Sequence, residues 1–244
     1  ISKPEDINTL ISFDENKLSY VFNAVEETTK LLPTDLPLIG FCGSPWTLAA
    51  YSIEGGGSKD FKKTKNFMRD HPSALHDFLE ILCDACYRYL RQQVLSGVNA
   101  LQIFDSWADL LNAQELEIFS LQYTKKITQK LKSDPITKNV PIILFEKDPK
   151  QKITDLIFDD LSCISLHWKN DIEAISKSVK NNIAIQGNLN PMILSGSDEI
   201  IYQEVQRICS IMFEYPGFIF NLGHGITPDI NPQKVQTMIK AARE

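Results

Sequence analysis

Short apolar runs alternate with longer stretches of helical spacing along this chain, and that alternation limits its fold more than any other feature. The runs are 36–41, 100–104, 140–145, 163–168, 182–185 and 217–221. Each is nearly continuous in apolar residues, the pattern of a strand in a parallel sheet covered on both faces. Between them Leu75, Phe78, Leu82, Cys86 and Tyr89 recur at steps of three and four, in a helix opening at His71-Pro72 and stopping near Gly97. Leu116, Phe119, Tyr123, Ile127 and Leu131 form the next stripe, ending before Asp134-Pro135, and Ile172, Ile175 and Val179 a shorter one. Ser197 is placed as N-cap of a helix carrying Ile201, Val205, Ile208 and Met212. Asn231-Pro232 opens a last helix through Val235, Met238 and Ile239. Six βα units without a change in composition predict one α/β domain over residues 1–244. The pattern alone leaves an open doubly wound sheet and a barrel both standing. The open sheet would call for a glycine-rich phosphate turn, and neither G-x-G-x-x-G nor a P-loop occurs. Gly55-Gly56-Gly57 does not directly follow a strand and reads as a flexible loop.

Composition removes several classes of function. The net charge of −6 argues against a nucleic-acid partner, which wants a basic face. It leaves room for an anionic small molecule, which responds to local charge. No apolar run approaches the ~20 residues needed to span a bilayer, so no membrane partner is expected. The N-terminus has no signal-peptide pattern and no initiator Met, as in a chain that starts partway along a longer one. Five cysteines, an odd number scattered through core-like segments, predict buried reduced thiols and a cytoplasmic setting. Cys83-x-x-Cys86 falls within a helical pattern with no second pair, and reads as two small core residues.

In parallel α/β folds the functional groups gather at the C-terminal ends of the strands. The residues there are Cys42-Gly43-Ser44-Pro45-Trp46-Thr47, Asp105-Ser106-Trp107, Glu146-Lys147, His167-Trp168, Gln186-Gly187-Asn188-Leu189-Asn190-Pro191 and Leu222-Gly223-His224-Gly225. Small and hydrogen-bonding groups on one rim point to a small-molecule site. His224 lies between two glycines, which let backbone and ligand come close; its alternative is a strand-end cap. Ser106 is either a donor to an anion or a helix N-cap. Tyr51, about two turns into the helix after the first strand, either reaches the mouth of the site or packs in the core. No G-x-S-x-G elbow occurs, and Cys163-x-x-x-His167 supplies too few ligands for zinc.

Four strings, in order, resemble the uroporphyrinogen decarboxylase family. They are the run from Pro37 to Leu48 with Glu54-Gly55-Gly56-Gly57-Ser58, the run from Leu101 to Ala108, the run from Gln186 to Pro191, and Asn221-Leu222-Gly223-His224-Gly225-Ile226-Thr227-Pro228-Asp229. The resemblance implies a (β/α)8 TIM barrel in which this chain supplies strands three to eight and lacks the first two βα units. It implies a homodimeric enzyme of haem biosynthesis that removes the four acetate carboxyls of uroporphyrinogen III, giving coproporphyrinogen III, with neither metal nor organic cofactor. Tyr51, Ser106 and His224 fall on family positions that contact the tetrapyrrole substrate, and Phe41 and Phe104 on apolar positions lining the cleft. The family's catalytic aspartate and arginine pair belong to its early segment, so no catalytic residue is expected within this chain.

Departures from the family pattern are His167 for an Asp before the Trp, Asn190 for an Asp, and Glu146-Lys147-Asp148-Pro149 for a glycine-bearing turn. His167 is expected to add positive charge near an anionic ligand. Two rival readings accompany the main one. A zinc- and corrinoid-dependent methyltransferase of the same barrel lacks support from any His-x-Cys arrangement. A catalytically incomplete fragment or pseudoenzyme would keep the binding residues without the reaction.

Overall fold

The computed structural model describes residues 1–10, 12–179 and 183–244. Six strands, β1 (Ile39–Gly43), β2 (Ala100–Asp105), β3 (Ile142–Glu146), β4 (Cys163–Ser165), β5 (Ala184–Leu189) and β6 (Phe218–Leu222), form one sheet. They pair in chain order and all in parallel. Helices α1 (Pro4–Ile7) and α2 (Ser19–Leu31) precede the sheet, and α3 (Pro45–Glu54), α4 (Lys62–Asp70) and α5 (Pro72–Leu95) join β1 to β2. Helices α6 (Ala113–Leu116) and α7 (Gln122–Ser133) join β2 to β3, and are fused by a π turn at Glu117–Leu121. Then come α8 (Ile172–Ser178) between β4 and β5, α9 (Asp198–Met212) between β5 and β6, and α10 (Pro232–Arg243). Neighbouring strands being consecutive in sequence, with helices between them, is the connectivity of a βα barrel rather than of a doubly wound sheet. Among the described residues β1 and β6 each pair on one side only, so the sheet is an arc of six strands.

Burial follows that arc. In β3 all five residues are buried, whereas in β1 Ile39 and Phe41 are exposed while Gly40 and Cys42 face the helices. In β6 Ile219 and Asn221 are exposed in the same alternating way. The expectation of strands buried on both faces therefore holds for the middle of the arc and fails at its two ends. The inner face of an end strand there has no opposing strand to cover it. The helix layer rests mainly on α5, whose buried Leu75, Phe78, Leu79, Cys83, Cys86 and Leu90 pack as one stripe.

Boundaries shifted for local reasons. Pro37 offers no N–H to a ladder, so β1 starts at Ile39, preceded by reciprocal 2.8 Å bonds between Leu38 and Asn99. β4 ends at Ser165 because His167 and Trp168 leave the ladder, and the Trp168 N–H donates to the Gly223 carbonyl at 3.2 Å. β5 continues through Gln186-Gly187-Asn188, expected to follow the strand; Asn182 of the expected run lies outside the described residues. Helices α2 and α4 were not foreseen, since Phe22 alone is buried in the first and only Thr64 and Phe67 in the second. The caps Ser197 and Asn231 are as expected, accepting from the N–H groups of Ile200 and Gln233.

Gly223 ties the rim together. A Cβ there would lie 2.3 Å from the Trp168 nitrogen, while a Cβ on Gly225 meets nothing within 4 Å. We therefore expect Gly223→Ala to lower stability by about 1–3 kcal/mol, the range for forced overpacking. Gly225→Ala should stay within about 0.5 kcal/mol. Urea denaturation midpoints of the two variants check the contrast.

Candidate active site

The strand ends build one concave region on the inner face of the arc. A cavity of about 340 Å³ is lined by Gln102, Phe104 and Ser106 from β2 and its exit, Phe145, Ser165, and the segment from Asn221 to Ile226 apart from Gly223. Ser106, His224 and Phe104, three residues singled out from sequence, thus share one wall. Phe41 stands at the open end of the same face, 59% exposed, with its ring 5.8 Å from Phe104. Phe104 meets Phe145 at 5.8 Å, and Phe145 meets the His224 ring edge-to-face at 6.4 Å. Edge-to-face pairs of this kind hold rings in fixed orientations, so an aromatic wall runs from β1 to the His224 loop. Tyr51 does not line the cavity. It meets Trp107 edge-to-face at 5.7 Å and Phe61 likewise at 6.1 Å, half-exposed above the β2 exit.

Polar groups missed as site residues lie inside the arc. Gln186 donates to Gln102 Oε1 at 3.2 Å and to Ser165 Oγ at 3.0 Å. Gln102 is 5% exposed, and its Nε2 has no partner among the described residues. A buried donor without an acceptor is costly, and this one borders the cavity. The available signal was a Gln inside each of two otherwise apolar strands, Leu101-Gln102-Ile103 and Ile185-Gln186-Gly187.

His167 corrects an expectation. It is 3% exposed, its Nδ1 has no partner among the described residues, and burial pushes its pKa below the usual histidine value. Asp148 acts against that shift, while His224, Lys169 and Lys147 reinforce it. The side chain is thus neutral at pH 7 and adds no positive charge; its ring stands 5.9 Å from His224. Asn190 serves as a cap, its side chain accepting from the Met192 N–H at 3.0 Å. The rim lysines are already engaged: Lys147 reaches Asp109 at 3.2 Å and lies over Trp107, and Lys169 reaches Asp148 at 2.6 Å. The cavity lining therefore offers neutral donors and aromatic faces.

On the helix side of the same strand ends the chemistry is different. Asp105 and Glu146, register partners on β2 and β3, are both buried. Asp105 accepts from the Thr47 hydroxyl at 2.8 Å and from the Ser120 hydroxyl. Ser44 caps α3 by accepting from the Thr47 N–H at 3.0 Å, and its own N–H donates to the Phe104 carbonyl at 2.8 Å. The start of α3 is thereby fastened to the end of β2. Among the described residues no group of three or more His, Cys, Asp and Glu side chains is placed to hold a metal ion. All five cysteines are free thiols, four buried and Cys209 partly so. Burial pushes the Cys83 and Cys163 thiols up to about 12, which makes them inert as nucleophiles.

Known proteins agree with this geometry. The solved structure of a methyltransferase from Methanosarcina mazei matches with a TM-score of 0.71 at 18% identity, covering 91% of this chain and 63% of that one. A B12-independent methionine synthase from Shewanella sp. W3-18-1 matches with a TM-score of 0.57 at 10% identity, over 91% of this chain and 64% of its own. At such identities the likeness is one of fold, and it makes the sheet six strands of a TIM barrel. The uroporphyrinogen decarboxylase of Ruthia magnifica subsp. Calyptogena magnifica is 40% identical over 98% of this chain and 71% of its own length. That of Pseudomonas putida (strain GB-1) is 41% identical over 100% of this chain and 69% of its own. The uroporphyrinogen decarboxylase (URO-D) family model matches residues 1–244, every strand end described above included, and the chain belongs to that family of carboxy-lyases.

Proposed function

We propose that this chain holds the tetrapyrrole during the cofactor-free decarboxylation of uroporphyrinogen III to coproporphyrinogen III. The observation that carries the reading is the meeting of Ser106, His224 and Phe104 on one cavity wall, in a chain of this family. Ser106, His224 and Tyr51 hold the substrate, with Phe41 and Phe104 as its apolar floor; Gln102 joins them as a further donor. The substrate pairs a flexible apolar macrocycle with eight carboxylates, so it needs faces to lie on and donors for its acids. Protonation of a pyrrole carbon beside an acetate arm makes the ring its own electron sink. The arm's C–C bond then breaks, its electron pair passes into the ring and carbon dioxide departs. A second proton completes the methyl group, and the ring carbon gives up the first to restore the pyrrole, so one proton is consumed for each carbon dioxide released. The protein's share is orientation and electrostatic stabilisation of the cationic ring.

The chain acts, in this reading, as one barrel domain over residues 1–244, in a cytoplasmic homodimer. Free thiols support the compartment, and the dimer rests on the family resemblance. No helix among the described residues is long and apolar enough to cross a membrane.

Anaerobic incubation with uroporphyrinogen, followed by chromatography of the oxidised products, tests the reading. Accumulation of coproporphyrin supports it. Folded protein that binds uroporphyrinogen without releasing product would instead make the chain a binding remnant. Ser106→Ala and His224→Ala should each raise KM about 10-fold or more, the loss of a hydrogen bond to a charged group. Gln102→Leu removes a donor unused among the described residues together with the acceptor for Gln186, and should raise KM while lowering stability by about 1 kcal/mol. Unaltered KM in all three variants would sink the assignment of this wall.

A further inference from the structure

Two carboxyl groups sit side by side in the dry layer between sheet and helices, with no cation against them. Asp105 is 0% exposed and Glu146 1%. They are register partners at the ends of adjacent parallel strands. The groups that face Asp105 are the hydroxyls of Ser44 and Thr47 from α3, Ser120 from the π turn, and Glu146 itself. Neither carboxyl takes part in an ion pair among the described residues; Lys147, next in sequence, is turned to Asp109. Both Glu146 oxygens lack a donor among the described residues. Two adjacent carboxylates in such a place cannot both ionise, so the pair keeps a proton between them.

What the pair touches gives this proton a task. Thr47 Oγ donates to Asp105 at 2.8 Å and accepts the backbone N–H of Ser106 at 2.9 Å. One hydroxyl therefore joins the carboxyl pair, the start of α3 and the turn that carries Ser106. Tyr51 lies one helical turn beyond Thr47 on α3, braced against Trp107. We infer that Asp105 and Glu146 act as a one-proton carboxyl pair that positions Ser106 and Tyr51 at the cavity mouth, an inference resting on the reading that those two residues hold the substrate. In the singly protonated state Glu146 donates to Asp105, whose anion keeps the Thr47 and Ser120 hydroxyls aligned. Loss of that proton sets two negative charges against each other in the layer that fastens α3 to β2. Neither residue touches the substrate; both act through Thr47.

Burial, reinforced for Glu146 by the neighbouring Asp105, pushes both carboxyls above their ordinary values, Glu146 the further. A group whose folded pKa is raised contributes stability that is complete below its unfolded pKa. That contribution is lost as pH rises through the folded value. Wild-type stability should therefore fall with rising pH across that window, and KM for uroporphyrinogen should rise in the same window. Glu146→Gln keeps shape and donor but cannot lose the proton, so both dependences should flatten. Thr47→Val cuts the relay while leaving the pair, and should raise KM about 10-fold at every pH.

The experiment is a pH series of denaturation midpoints and of KM for wild type, Glu146→Gln and Thr47→Val. A stability slope that Glu146→Gln retains overturns the one-proton pair. A KM unmoved by Thr47→Val overturns its positioning role. If the wild type makes no coproporphyrinogen at all, the function reading fails, and the stability slopes still decide the pair.

Discussion

Every strand in this sheet runs the same way, and that single constraint places the rest. A parallel ladder returns each strand to the same starting edge through a helix, so every strand exit opens on one rim. Six exits then face each other across the inner side of the arc. Residues separated by more than 100 positions, Ser106 and His224 among them, come to line one cavity only because of this. The central strands carry the stability of the arrangement, being buried on both sides. The end strands expose inner-face residues such as Phe41 and Ile219.

The two sides of the rim do different work with similar residues. On the inner side, Gln102, Ser165 and Gln186 form a neutral hydrogen-bonded layer beneath an aromatic wall. A neutral floor suits a ligand whose charges lie at its periphery, because it spares the ring the cost of facing a buried ion. On the helix side, Asp105 is enclosed by hydroxyls that hold α3 in place. The Ser106 turn lies at the boundary of these layers, with its backbone on the helix side and its residue lining the cavity.

Much of this was legible in the sequence. Five of the six apolar runs lay within three residues of the strands, because burial inside a parallel sheet leaves few polar residues; the fifth stopped four residues short, at the polar Gln186-Gly187-Asn188. The rim strings singled out Ser106 and His224 because glycine and small polar residues cluster after strands where the backbone must turn tightly or meet a ligand; Phe104 came only from the family resemblance. Tyr51 was less well read. Its spacing placed it on a helix near the mouth, but Trp107 and Phe61, which set its orientation, come from elsewhere in the chain. Gln102 and Gln186 went unnoticed as site residues, since one polar residue in a strand announces burial only after the sheet has formed. Glu146 was placed among the strand-end groups, and nothing local in Glu146-Lys147-Asp148 shows that its side chain turns into a sealed layer.

The departures from the family pattern share a direction once their surroundings are known. His167 stands where the resemblance leads one to expect an acid, and burial keeps it uncharged. Asn190 also stands for an acid and spends its side chain on a cap. Glu146 adds a carboxyl, but burial beside Asp105 holds it in its neutral form. These three changes therefore remove a negative charge from the rim or add none at pH 7, while Asp148, in the same turn as Glu146, keeps its charge paired with Lys169. For a ligand bearing eight carboxylates, repulsion from a fixed rim anion would cost more than any one neutral donor returns. The rim can thus accept new residue types as long as desolvation decides their charge. Burial and neighbouring acids, more than residue type, decide which of these side chains carry charge.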